Sequence, residues 1–371
     1  MKAWVLHSIN DIRLEEAPLP SPKDDEVLIR VKAAGICGSD IPRIYKTGAH
    51  KMPLIPGHEF SGVVADTGRE AFSYLKGKKV GIYPLIPCGS CVPCRSGHPE
   101  TCRNYDYVGS RRDGAFSEYV SVPARNVRVL PDNISFEEAA MLEPMAVAAH
   151  ALKLGTGNNI DGGAGFDDEN RAYSAPHADK RMVVCGLGTI GLLLTMFLLE
   201  RGFKNVYLIG NKEEQLEKAL SLGIPMEKFL DSREGNVINE IRKTAGEADV
   251  FFECVGKNEC LSYGIESTAA NGRIVLLGNP YSDMALSRDT YWKILRNQLD
   301  IRGSWNSTFL PEEKTDREDD WDYVITRLEK KKITPADLIT HRLPISGLDR
   351  GFSIMRDRSG YFCKVMMTNP E

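Results

Sequence analysis

Short apolar runs cut by proline and glycine dominate the first part of the chain. Lys2–Leu6 and Glu26–Ala34 read as strands, with Pro18, Pro20 and Pro22 punctuating the connection between them. Ser135-Phe136-Glu137-Glu138 sets a hydroxyl ahead of a glutamate at capping-box spacing, so a short helix opens there, and Pro144 suits the first turn of a second helix. Further on, Met182–Leu199 carries no charged residue and is long enough to raise the question of a membrane span. Gly186, Gly188 and Gly191 interrupt it, and the apolar spacing changes from continuous to helical. It therefore reads as a buried strand Met182–Cys185, a turn, and the helix Ile190–Glu200. Strand-like runs at Asn205–Ile209, Asp249–Val255, Arg273–Leu277 and Leu299–Gly303, separated by helical stretches, complete the series that a doubly wound parallel sheet requires. The predicted class is α/β.

Not all of the chain follows these periods. Gly155–Arg181 is rich in Gly, Asp and Asn and exceeds the ~12–15 residues beyond which an unstructured loop is uncommon. It reads as a surface insertion, with a lid or an oligomer contact as the alternative. Glu312–Asp320 is a charged run, read as a solvated loop or helix start. The predicted organisation is a first domain over 1–154, the insertion over 155–181, a doubly wound domain over 182–305, and a return to the first domain over 306–371.

Length and charge narrow the class. A chain of 371 residues allows two domains, each with its own core. A net charge of −4 without a long basic run argues against a nucleic-acid partner and for a small-molecule substrate. Met1–Asn10 has no apolar core ahead of Asp11, so no signal peptide and a cytoplasmic location are expected.

The chemistry concentrates in two segments. Cys37 lies in Gly-Ile-Cys-Gly-Ser-Asp, and His58-Glu59 in Gly-His-Glu-Phe-Ser-Gly. A thiolate, an imidazole and a carboxylate form the mixed donor set of an open catalytic zinc site, and the flanking Gly35, Gly38, Gly57 and Gly62 suggest backbone held close to something. Ser39 can hydrogen-bond a substrate alcohol and pass its proton towards solvent, or simply cap a helix. Cys88, Cys91, Cys94 and Cys102 follow as C-x2-C-x2-C-x7-C, a spacing that wraps thiolates around one tetrahedral ion and leaves no open position, so this zinc is structural. A redox pair is the competing reading, but it leaves two cysteines unexplained.

Gly186-Leu187-Gly188-Thr189-Ile190-Gly191 sits between a predicted strand and helix, the context in which G-x-G-x-x-G binds a dinucleotide pyrophosphate. After the next strand, where an NAD enzyme places Asp or Glu against the ribose, this chain has Gly210-Asn211-Lys212. NADP is therefore admissible beside NAD, with Lys212 able to contact a 2′-phosphate. Leu277 and Gly278 end a later strand where backbone can approach the nicotinamide.

Gly57-His58-Glu59, followed by Gly62 and Gly68, resembles the zinc signature of the medium-chain zinc-dependent alcohol and polyol dehydrogenases; its last position, usually Val, is Ala71. The resemblance implies a GroES-like, β-rich zinc domain, a Rossmann coenzyme domain, one catalytic and one structural zinc, NAD or NADP, and a homodimer or homotetramer. It also implies that Glu143, in Glu143–Val147, ligates the catalytic zinc or holds its water, exchanging with Glu59. Pro42 stands where many relatives carry a relay His, so the relay ends differently here, through Ser39, the coenzyme ribose or water. The terminal G-K-V pattern of the family appears as Cys363-Lys364-Val365.

Cys37–Gly62, Tyr105–Tyr119 and Lys293–Trp305 resemble the branch acting on sugar-alcohol phosphates. A phosphorylated polyol needs cations, and Arg43, Lys46, His50, Lys51, Arg111 and Arg112 are the candidates. Free polyols, amino alcohols and pentitol phosphates are competing substrates. A non-catalytic dinucleotide sensor is the competing class, opposed by the intact Cys37, His58, Glu59 and Glu143.

Overall fold

A computed structural model of the chain describes residues 1–156, 179–310 and 319–369. Two units divide it: Met1–Pro144 together with Ser307–Glu371, and Met145–Asn306. The predicted insertion lies, apart from its ends, outside the described residues, as does the charged run up to residue 318.

The first unit is built on the strand Glu26–Ile36, whose alternating apolar side chains are almost all buried. In its sheet the order is Ile339–Leu343, Lys364–Thr368, Glu26–Ile36, Glu59–Thr67, Lys79–Ile82 and Val127–Val129, with Tyr119–Pro123 also paired to Glu26–Ile36. Register fixes what meets at one end: Gly35 lies opposite Glu59, and Ile36 opposite Val365. The C-terminal segment is thus hydrogen-bonded beside the strand that ends just before Cys37. A hairpin of Lys2–Ser8 with Asp11–Glu16 precedes this sheet. Its second strand was not predicted, although Asp11–Glu16 alternates apolar Ile12 and Leu14 with polar neighbours. The capping box at Ser135 forms as predicted and opens Phe136–Ala140; the next helix, Leu142–Thr156, carries Glu143 and Pro144 in its first turn.

The second unit holds six parallel strands in the order Phe229–Asp231, Asn205–Gly210, Arg181–Cys185, Ala248–Glu253, Thr268–Leu276 and Asp300–Gly303. Numbered along the chain this is 3-2-1-4-5-6, the doubly wound order whose direction reverses between its first and fourth strands. That switch point puts the carboxyl end of Arg181–Cys185 beside that of Ala248–Glu253. The strand Phe229–Asp231, only three residues long, was too short to show a period in the sequence.

A buried ion pair fastens the return of the chain to the first unit. Asp319 is 1% exposed and caps the helix Asp320–Glu329 by accepting from the N–H groups of Trp321 and Asp322, both at 2.9 Å. It also takes the Arg128 guanidinium at 2.8 Å and the Leu310 N–H at 2.6 Å. Burial pushes its carboxyl up to about 6, with Arg128 opposing the rise. Asp319→Ala would remove the helix cap and the buried counter-charge of Arg128, leaving it only the more exposed Asp322 at 3.3 Å, and we predict a loss of about 3 kcal/mol in equilibrium urea unfolding. A loss below about 1 kcal/mol would show that the pair does not hold this segment.

Candidate metal centre and dinucleotide pocket

Cys37 follows the end of the central strand, and His58-Glu59 opens the neighbouring one, so strand pairing alone brings them together. One ligand atom from each of Cys37, His58 and Glu59 lies within 4.8 Å of the others. Gly35 explains how the carboxylate fits: a Cβ there would overlap the Glu59 side chain. Gly57 takes a φ of +97° and packs where a side chain would strike the Phe116 ring, while a Cβ on Gly62 would run into the Arg30 carbonyl. Gly38 differs from expectation, having nothing within 4 Å of a Cβ.

Buried groups around these donors orient them. Asp40, 0% exposed, accepts the Cys37 N–H at 3.0 Å on Oδ2, and its Oδ1 stands 3.5 Å from His58 Nδ1. Lys364 makes a short, sealed ion pair with Glu59 and donates to the Ile36 carbonyl at 3.3 Å. Glu143 is buried nearby, and the Tyr107 hydroxyl donates to its Oε1 at 3.3 Å. The Tyr107 ring meets His58 edge-on at 5.7 Å. Burial lifts the Glu143 carboxyl to about 7, with His58 opposing and Glu59 reinforcing the shift. Asp40, Tyr107 and Lys364 were not singled out from the sequence. Asp40 had a signal in its position beside Ser39, and Lys364 in the terminal C-K-V.

The donor set fits a zinc ion. A thiol, an imidazole and a carboxylate, a mixed donor set suited to an open zinc site, each bring one ligand atom within 4.8 Å of the others. Ser39 precedes the three-residue helix Asp40–Pro42 but makes no side-chain capping bond, which removes the bland reading of its hydroxyl.

The second cluster is purely sulfur. Cys88, Cys91, Cys94 and Cys102 are unpaired as disulfides and lie with their Sγ atoms within 4.8 Å of one another. Cys91 stands 3.4 Å from Cys94 and 3.8 Å from Cys102. A Zn–S bond of about 2.3 Å places tetrahedral sulfurs about 3.8 Å apart, so the quartet is close to a closed metal site.

The predicted cations scatter. Arg43 donates to Asp40 Oδ1 at 2.5 Å. Arg112 is engaged with Glu26 through a short ion pair, and Glu26 also accepts from Ser121 at 2.9 Å; this guanidinium serves the fold rather than standing ready for a phosphate. Arg111 stacks on Tyr105 at 4.4 Å. Lys46, His50 and Lys51 are exposed.

In the second unit a cavity of about 230 Å³ opens at the switch point, lined by Gly186 and Gly188 from the first turn, Asn211 from the second, and Cys254 and Val255 beyond the fourth strand. Thr189, Ile190 and Gly191 start the helix Thr189–Glu200, and a Cβ on Gly191 would overlap the Gly186 carbonyl, which explains that glycine. Gln215, not foreseen, ties the two turns: its Oε1 accepts from Asn211 N–H at 2.8 Å and its Nε2 donates to the Leu187 carbonyl at 3.2 Å. Lys212 caps the following helix by backbone position. Leu277 and Gly278 both donate backbone N–H groups to the Glu253 carbonyl, at 2.8 and 3.0 Å, and do not line this cavity.

Comparison with known proteins agrees with this geometry. Residues 23–132 match the alcohol dehydrogenase GroES-like domain and residues 189–330 the zinc-binding dehydrogenase domain. Galactitol 1-phosphate 5-dehydrogenase of Escherichia coli K12 is 32% identical, with 92% of each chain covered. The crystal structure of galactitol-1-phosphate dehydrogenase from Escherichia coli superposes with a TM-score of 0.84 at 30% identity over the whole of both chains. L-threonine 3-dehydrogenase of Bacillus velezensis is 30% identical over 92% of each. An alcohol dehydrogenase from Escherichia coli CFT073, complexed with NADH, is 27% identical with a TM-score of 0.84, covering 100% of this chain and 99% of that one. The chain belongs to the zinc-dependent medium-chain alcohol dehydrogenases, with a GroES-like domain and a Rossmann domain. It is an enzyme of the polyol and alcohol dehydrogenase class, similar in sequence and fold to galactitol-1-phosphate dehydrogenase.

Removing the carboxylate that faces His58 tests the geometry. Asp40→Asn is predicted to lower zinc affinity at the Cys37 group, or turnover, by about 10- to 100-fold, leaving the zinc of the cysteine quartet in place when metal content is measured. Cys94→Ser should do the reverse, losing the quartet's zinc and lowering the melting temperature.

Proposed function

We propose that the protein oxidises a secondary alcohol of a sugar-alcohol phosphate with NAD or NADP, with galactitol 1-phosphate giving tagatose 6-phosphate as the preferred reaction. The observation that carries the reading is the buried convergence of Cys37, His58 and Glu59, with Glu143 beside them. Likeness to galactitol-1-phosphate dehydrogenase over nearly the whole chain supports the substrate.

Zinc at Cys37, His58 and Glu59 would supply a Lewis acid, and a nicotinamide held by the Gly186–Gly191 turn a hydride acceptor. The remaining work falls to the chain's own side chains. Asp40 fixes the His58 ring and the Cys37 backbone. Lys364 pairs with Glu59 in a sealed position, and Tyr107 holds Glu143 in reach as a second carboxylate. Ser39, whose hydroxyl is not spent on a cap, accepts the proton of the substrate hydroxyl and hands it towards solvent. The cysteine quartet holds the loop Cys88–Cys102.

For the coenzyme, Asn211 stands where a ribose-binding carboxylate would repel a 2′-phosphate, and Gln215 meets the Asn211 backbone instead. This supports use of NADP as well as NAD. Amino alcohols are the second reading, favoured by the likeness to L-threonine 3-dehydrogenase. A homodimer or homotetramer in the cytoplasm belongs to the same proposal.

The test is oxidation of galactitol 1-phosphate, galactitol and L-threonine by zinc-replete protein, each with NAD and NADP. A kcat/KM at least about tenfold higher for the phosphate, the scale of one charge-assisted contact, is expected. Equal rates on both polyols would remove the phosphate from the assignment, and preference for threonine would replace it.

A further inference from the structure

The cations expected near a phosphorylated substrate differ sharply in what they already do. Lys364, the cation closest to the donors, is 3% exposed and spent on Glu59 and the Ile36 carbonyl. Arg112 is spent on Glu26. Arg111 sits over the Tyr105 ring, with its Nε buried and unbonded. Arg43 differs from all of these. It begins the turn Arg43–Thr47 directly after the helix that carries Asp40, and its side chain is 17% exposed. Only Nη1 is engaged, on Asp40 Oδ1; Nε and Nη2 have no partner among the described residues and are not sealed from solvent. Its charge also reaches the Tyr107 hydroxyl, opposing the rise that burial and Glu143 impose there.

These contacts bring Arg43 within one residue of two donors, because Asp40 faces His58 with one oxygen and accepts from Cys37 with the other. A guanidinium with one edge pinned and another accessible is pre-oriented for a paired contact to phosphate oxygens. Beside it lies the buried Asp40 carboxylate, while the other nearby cation, Lys364, is paired with Glu59.

We infer that Arg43 is the specificity-determining residue that holds the phosphate of the substrate while its other edge stays on Asp40. This rests on the sugar-alcohol phosphate reading proposed above. It replaces a diffuse set of basic candidates with one side chain, and it links the substrate's anionic end to the carboxylate that orients His58.

The experiment compares kcat/KM for galactitol 1-phosphate and for galactitol in the wild type and in Arg43→Gln, Arg43→Lys, Arg111→Gln and Arg112→Gln. Zinc content is matched throughout, and inorganic phosphate serves as a competing inhibitor. Arg43→Gln is expected to reduce the phosphate-to-free-polyol ratio by about 10- to 100-fold, chiefly through KM for the phosphorylated substrate. Inhibition by inorganic phosphate should weaken by a similar factor. Arg43→Lys should fall between, keeping the charge but not the planar pair of donors, while Arg112→Gln should leave the ratio unchanged. If the wild type prefers the phosphate but Arg43→Gln slows both substrates equally, Arg43 only positions Asp40 and this inference is overturned while the function stands. Loss of the preference in Arg111→Gln instead would also overturn it. A wild type without phosphate preference would remove the functional reading and this inference with it.

Discussion

The ion pair between Glu59 and Lys364 is the constraint on which the candidate metal centre depends. Both side chains are almost fully buried, at 2% and 3% exposed, and a carboxylate there without a partner would be strongly disfavoured. Forming the pair requires strand Lys364–Thr368 to lie against Glu26–Ile36 in one register, and Gly35 to leave room for the carboxylate. A one-residue slip would turn Lys364 to the other face of the sheet. The segment Lys364–Thr368 therefore shapes the donor group as much as the fold. The same packing places Cys37 at the end of one strand and His58 at the start of the next, where Asp40 can meet both.

The dinucleotide pocket in the second unit uses side chains differently. There the contacts are made mostly to backbone, as suits a surface that must take up a pyrophosphate. Gln215 bridges the first two turns. Glu253, 2% exposed, accepts from Val255 and Gly256 N–H groups at 2.8 Å and so shapes the loop after the fourth strand. Asn211 takes its place in this frame through its backbone N–H, held by Gln215.

What could be read from the sequence was local. The cysteine quartet declares itself because four ligands of one ion fall within one loop, and Gly186–Gly191 because strand, turn and helix are contiguous. The mixed donor group was legible from two glycine-flanked motifs. Lys364 was not, since its partner lies 305 residues away and a lysine in a short terminal strand has no periodic mark of burial. Tyr107 and Gln215 were missed for a similar reason: their roles come from what the fold sets beside them. The basic candidates show the converse limit. Composition placed Arg43 and Arg112 on equal terms, and only their partners, Asp40 and Glu26, separate them.

The central claim is that alcohol oxidation takes place at the Cys37, His58 and Glu59 group. Replacing its metal with cobalt(II) and recording the visible spectrum as polyol substrate is added tests this most directly. The account predicts thiolate-to-cobalt and ligand-field bands that shift on substrate addition, and a substrate-sensitive component that disappears in Cys37→Ser while the bands of the cysteine quartet remain. A spectrum indifferent to substrate, or one unchanged by Cys37→Ser, would contradict it.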